Sequence, residues 1–153
     1  MSTLRVENIN QSSEAVYSYL NENSHVFIPP LKPRVDVLAY AQKIAAHAQQ
    51  FWLYHSEVAV GFAACYFNDP TNITGFITSI SVIPDAQGTG AGTLLLNEVI
   101  RYAQEKRTAQ IRLEVFEENE NAIVFYEKKG FQVIGKVDQK LIMNLEVTSN
   151  ATN

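Results

Sequence analysis

Cysteine is nearly missing from the chain: Cys65 stands alone, which excludes an internal disulfide framework and a multi-cysteine metal site. Concentrated positive charge is missing too. Twelve Lys and Arg stand against sixteen Asp and Glu, a formal net charge of -4, and no basic block is longer than a pair. A nucleic acid or an anionic membrane is therefore a disfavoured partner. Apolar runs stay far short of the roughly 20 residues a membrane-spanning helix needs. Ser2 to Asn10 carries Arg5, Glu7 and two asparagines where the apolar stretch of a signal segment would lie, and a cytoplasmic location is expected. No period of 20 to 50 residues recurs and no segment is low in complexity, so solenoids and propellers drop out.

What remains is ordinary globular usage: 153 residues and 17.1 kDa, with 46% hydrophobic and 18% charged residues. That length predicts one domain, able to bury roughly 70% of its unfolded surface without staples. The domain is expected over residues 1–147, with a frayed tail at 148–153.

Local patterns order the elements. Leu4 to Asn8 alternates weakly as a short strand, and Ser12 and Ser13 can cap a helix running to about Leu20, with Glu14 in its acid-favouring first turn. Pro29, Pro30 and Pro33 mark the loop Asn21 to Arg34, because a helix interior rejects them. Leu38, Ala41, Ala45 and Ala48 recur at helical spacing over Val35 to about Gln50. Phe51–His55, Val58–Tyr66 and Gly75–Ile83 read as three strands of an antiparallel meander, separated by Ser56-Glu57 and by the turn-formers Asn68 to Asn72. A glycine loop then leads into a helix whose face carries Leu94, Leu95, Val99, Tyr102 and Ala103. Gln110 to Phe116 alternates as a strand, Asn119 to Lys129 is helical and stops at Gly130, and Phe131–Lys136 and Leu141–Val147 close the chain as strands. The fold class is α/β or α+β with a largely antiparallel central sheet.

The chemistry concentrates around Val82 to Leu95. Gly88, Gly90 and Gly92 alternate at a helix start, where the backbone can approach a ligand and free N–H groups favour a phosphate. A P-loop fails because no Lys follows the glycines until Lys106, and a G-x-G-x-x-G fingerprint fails because Thr93 stands where its last glycine belongs. Pro84, Gln87 and the Leu94-Leu95 pair hold set positions around the glycines, which a mere tight turn would not need. With Gln87, Gly90 and Gly92 in place, the segment resembles the pyrophosphate-binding signature of the GNAT superfamily of N-acetyltransferases. Leu113-Glu114-Val115, Asn119, Ala122, Tyr126 and Gly130-Phe131 resemble that family's second signature.

The resemblance implies a mixed sheet of six to seven strands flanked by about four helices, with the fourth and fifth strands, Gly75–Ile83 and Gln110–Phe116, splayed to admit coenzyme A. It implies acetyl-CoA as cosubstrate, with main-chain groups of Ile80, Ser81 and Val82 pairing with pantetheine. Gln87 and the N–H groups of Gly88, Thr89, Gly90, Ala91, Gly92 and Thr93 would hold the pyrophosphate, and Asn119 would touch the cofactor. Direct acetyl transfer needs a base for the ammonium and an acid for the thiolate. The resemblance assigns the acid to Tyr126, whose other reading is a core aromatic beside Ile123 and Phe125. Glu114 is the candidate base; its alternative is to pair with a neighbour such as Arg112 at the sheet surface, or only to order water.

Other residues read more plainly. His25, His47 and His55 lack metal-ligand spacing, and no metal is expected. Glu117, Glu118 and Glu120 read as a solvated helix start, or as a rim for a cationic acceptor. Cys65 reads as a buried small hydrophobe. The apolar loop His25 to Leu31 suits either an acceptor wall or a dimer contact, so the chain is expected as a monomer or homodimer. A small-molecule amine is the expected acceptor, with a protein N-terminus or lysine as the alternative. A non-catalytic acyl-CoA sensor is the reading from another class.

Overall fold

The computed structural model describes residues 3–147; the expected tail at 148–153 lies outside the described residues. Seven strands form one sheet in the order β1-β2-β3-β4-β5-β7-β6, comprising β1 (Leu4–Glu7), β2 (Gln49–His55), β3 (Val58–Tyr66), β4 (Thr74–Val82), β5 (Gln110–Phe116), β6 (Gln132–Val137) and β7 (Lys140–Glu146). Every neighbouring pair is antiparallel except β4 with β5, which run parallel. Four α-helices accompany it: α1 (Ser13–Glu22), α2 (Val37–His47), α3 (Ala91–Lys106) and α4 (Glu120–Lys128).

The central strands β2 and β3 bury apolar side chains on both faces, so each face needs its own helical cover. Val16, Tyr19 and Leu20 of α1 and Val37, Ala41 and Ile44 of α2 bury Trp52, Phe62 and Ala64 on one face. Leu95, Leu96, Val99 and Ala103 of α3 bury Phe51, Leu53 and Ala63 on the other, joined by Tyr126 of α4. Ser12 starts α1 by accepting the Ala15 N–H at 3.2 Å, and Asp36 starts α2 by accepting from Ala39 at 3.1 Å, each satisfying a donor that the helix leaves open.

Several expectations are corrected at this level. The second helix is shorter than Val35 to Gln50, because Gln49 and Gln50 already pair with Cys65 and Ala64 in β2. Gln50 is fully buried there, its Oε1 accepting from Gln11 N and Trp52 Nε1 and its Nε2 donating to the Gln11 carbonyl. Leu38 is 50% exposed while Val37 and Ile44 are buried, so the buried stripe of α2 is rotated from the expected one. On α3, Leu96 sits in the core and Leu94 and Tyr102 flank it. The first helix runs on to Glu22.

The feature that positions the site is a defect in pairing between β4 and β5. Their ladder runs only from Thr74↔Gln110 to Ile77↔Leu113. On the other side, β4 stays paired with β3 as far as Val82, but Ala64 faces Ser79 while Cys65 faces Ile77, which leaves Thr78 as an extra residue. An inserted residue bends a strand and strengthens its twist. Past Thr78, β4 therefore turns away from β5, and among the described residues its β5-facing edge has no strand beside it.

Candidate active site

The gap between the diverging strands is a cleft of about 840 Å³. Ile80, Ser81 and Val82 line its β4 wall, and Leu113, Glu114, Val115 and Phe116 line its β5 wall. Ile80 and Val82 pack with the α3 side, whereas Ser81 points to the other face, its Oγ 3.2 Å from the Tyr19 hydroxyl. Burial pushes the Tyr19 pKa up to about 12, partly offset by that hydrogen bond.

At one end of the cleft is the glycine loop. A 3-10 turn at Pro84–Ala86 carries the chain off β4, and Gln87 Nε2 donates to the Val82 carbonyl at 2.8 Å, tying loop to strand. Gly88 and Gly90 hold φ of +79° and +85°, and a Cβ at either would meet no protein atom within 4 Å. Conformation and free space coincide: the backbone there is shaped like a cradle that side chains would fill. Gly90 precedes the first turn of α3 and offers no side-chain cap. The N–H groups of Ala91, Gly92 and Thr93 thus lack intrahelical acceptors at the positive end of the helix dipole, and an anionic pyrophosphate fits this cradle. Gln87, Gly88, Gly90, Gly92 and Thr93 line the cleft. Thr89 turns its hydroxyl back onto the Ala86 carbonyl and Ala91 is buried in the core, so these two can contribute only main-chain groups.

The titratable groups lie on opposite faces of the sheet beside β5. Tyr126 belongs to the cluster containing Leu113 and Val115, whereas Glu114, between them in β5, is exposed and projects to the opposite face. Tyr126 is 8% exposed, lines the cleft and packs edge-on against Phe125 and Phe131. Burial alone drives its pKa upward, so the phenol stays protonated. Its hydroxyl has no hydrogen-bond partner among the described residues. Asn119 lines the cleft while its side-chain oxygen caps α4, accepting from Ala122 N at 3.4 Å.

The alternative reading of Glu114 is a surface pair with a neighbour such as Arg112; a surface pair is present, but not with Arg112. Arg112 Nε donates to Asn144 Oδ1 at 3.2 Å, and the partner of Glu114 is Lys140, Nζ to Oε1 3.6 Å. Lys140 sits opposite Phe116 in the β5–β7 register, a diagonal neighbour that only strand pairing reveals. Val26, Phe27, Ile28 and Leu31 of the proline-rich loop line the cleft on this side with Arg34 and Tyr40. The Tyr40 hydroxyl donates to the Thr78 carbonyl at 2.6 Å, holding the bulge against α2. Sequence reasoning missed Arg34, Tyr40, Phe116 and Lys140. The only hint was the position of Arg34 beside the prolines.

The sheet is thus opened along one strand pair, with a glycine turn at one end of the opening and Tyr126 and Glu114 both lining it. Residues 8–131 match the acetyltransferase (GNAT) family, and the chain belongs to that family. An uncharacterized N-acetyltransferase of Methanocaldococcus jannaschii is 42% identical over 77 residues, 48% of this chain and 34% of that protein. N-alpha-acetyltransferase 50 of Danio rerio is 32% identical over 83 residues, 53% of this chain and 49% of that protein. The matches thus span half or less of either relative. Among solved structures, the ribosomal-protein-S18-alanine N-acetyltransferase of Escherichia coli superposes with a TM-score of 0.76 at 21% identity, covering 99% of this chain and 98% of that one. The PaiA N-acetyltransferase of Thermoplasma acidophilum in complex with coenzyme A gives 0.74 at 14% identity, covering 94% and 99%. Both superpose over nearly the whole chain, so the fold is shared. Among the described residues no helix is long and apolar enough to cross a membrane.

Proposed function

We propose that the chain transfers the acetyl group of acetyl-CoA directly to the primary amine of a small molecule. The observation that carries this reading is the placement of Tyr126 and Glu114 on opposite faces of β5, both lining one gap. Bound acetyl-CoA would supply an activated acyl thioester.

The chain's own residues divide the remaining work. N–H groups from Gly88 to Thr93 hold the pyrophosphate, with Gln87 bracing the loop and Asn119 at the start of α4 closing the near side. The unpaired β5-facing edge at Ile80, Ser81 and Val82 offers main-chain groups to the pantetheine arm, as an added strand would. Glu114, on the α1–α2 side, takes a proton from the incoming ammonium directly or through water, since only the free amine attacks. Tyr126, on the α3–α4 side, gives its proton to the departing thiolate. Its raised pKa suits a donor that must be protonated before that step.

A polypeptide N-terminus is the second reading, favoured by the similarity to N-alpha-acetyltransferase 50. The deciding experiment is calorimetric titration with coenzyme A followed by thiol release from acetyl-CoA against amino sugars, amino acids, simple amines and short peptides. Binding with turnover of a small amine supports the proposal, and turnover of peptides alone supports the second reading. Binding without turnover of any amine would make the chain an acyl-CoA sensor.

A further inference from the structure

Three charged side chains line the cleft: Arg34, Glu114 and Lys140. They gather where the α1–α2 loop meets the end of β5, and Phe116 ties them together. The Arg34 guanidinium carbon lies 5.0 Å from the Phe116 ring centre and Lys140 Nζ lies 5.2 Å from it, so one ring attracts two cations. Arg34 is held further by Nε donating to the Pro29 carbonyl at 3.2 Å. Its side chain thus reaches from the loop to the strand that carries Glu114.

These charges do not balance. Lys140 and Glu114 offset one another at 3.6 Å, whereas Arg34 has no carboxylate partner among the described residues. Partial burial lowers the pKa of Arg34, as expected of a guanidinium that loses water without gaining a counter-ion. A chain of formal charge -4 therefore presents surplus positive charge on the Glu114 side of its cleft. A polyamine would meet two cations there and one carboxylate already paired. With Nε engaged by Pro29, the two terminal nitrogens of the guanidinium remain to an anionic group, and this end of the planar fork can bind a carboxylate in two parallel hydrogen bonds. Phe27, Ile28 and Leu31 beside it offer an apolar wall.

We propose that the acceptor is an amine that also bears a carboxylate, seated on Arg34, with an apolar portion against Phe27, Ile28 and Leu31. This rests on the acetyl-transfer reading above. The same chemistry occurs in a free apolar amino acid and in a peptide whose apolar N-terminal residue is followed by an acidic one.

The test measures kcat/KM from thiol release with leucine against leucinamide, and with Leu-Glu-led against Leu-Gln-led peptides, for wild type and Arg34→Gln. One acid should exceed its neutral counterpart at least tenfold in the wild type, and the pair that does so tells amino acid from peptide. Arg34→Gln should lower the acid more than the amide, mainly through KM, bringing the ratio to within about twofold of one, and Arg34→Lys should restore part of it. Putrescine or a neutral amide matching every acid, an acid panel without turnover, or Arg34→Gln slowing acid and amide alike would each overturn the proposal. Coenzyme A titration of the same preparations separates the two readings. Without binding, acetyl transfer falls and takes this inference with it; with binding and acetylation of neutral or cationic amines, only carboxylate selection falls.

Discussion

Tyr126→Phe should separate rate from stability, because the structure puts the ring and the hydroxyl of Tyr126 to different uses. The ring packs 5.5 Å from Phe125 and 5.6 Å from Phe131 between centres, and phenylalanine keeps those contacts. The hydroxyl bonds to no described residue, so its removal breaks no protein hydrogen bond and relieves a desolvation cost. The stability change should stay within about 1 kcal/mol, in either direction. The rate should behave otherwise. Loss of a general acid is worth about 10²- to 10⁴-fold, or about 2.7 to 5.4 kcal/mol of barrier. Single-turnover rates at saturating acetyl-CoA isolate the chemical step, calorimetry should show coenzyme A affinity nearly intact, and denaturant unfolding gives the stability. The raised pKa adds a second signature. A phenol whose folded pKa lies above its unfolded value of 10.0 contributes stability that is fully present below pH 10 and is lost as pH rises further. The wild type should therefore lose more stability than Tyr126→Phe above about pH 10. A rate loss of less than about threefold would return Tyr126 to the core and refute the assignment of the acid.

Glu114→Gln should lose most of its kcat/KM near neutral pH and less toward pH 9, where amines arrive already neutral; a constant ratio near one between about pH 6 and 9 would leave only an exposed pair with Lys140, worth about 0 to 1 kcal/mol. Gly90→Val places a branched side chain at φ +85°, in the space that the cradle leaves open, and should weaken coenzyme A binding at least tenfold, about 1.4 kcal/mol; equal calorimetric affinities would remove the loop from the site. Asp69 organises the β3–β4 turn by accepting from the Thr71 hydroxyl and from the N–H groups of Thr71, Ile73 and Thr74, which draw its pKa from 3.8 to about 2. The stability this contributes is present above pH 4 and fades as pH falls through about 2, so the Tm gap between wild type and Asp69→Asn should narrow over that interval. A gap that stays constant from pH 7 to 2 would contradict the assignment.

Much of the architecture was legible because local rules and packing agree. Gln110 to Phe116 alternates in sequence, and its bounds as β5 are the same. Gly130 ends α4 with φ +100°, as a left-handed stop should. The end of the helix after Val35 was less legible: its alanines favour helix up to Ala48, and Gln49 and Gln50 carry no local mark of the strand they join. Only pairing with Ala64 and Cys65 decides that.

The sequence by itself determined the order of the elements, most of their bounds and the glycine turn before α3, because capping, period and glycine conformation are properties of neighbours along the chain. It also singled out Glu114 and Tyr126 as candidates. Tertiary structure alone decided that they line one cleft from opposite faces of the sheet, where the β4–β5 ladder ends at Ile77 and Leu113 beside the irregular pairing at Thr78. It likewise decided that Lys140, not Arg112, meets Glu114, and that Arg34 crosses to Phe116 unneutralised. Such contacts join residues far apart in the chain, and their partners are set by strand register and by the packing of a loop on a sheet, which no local pattern encodes.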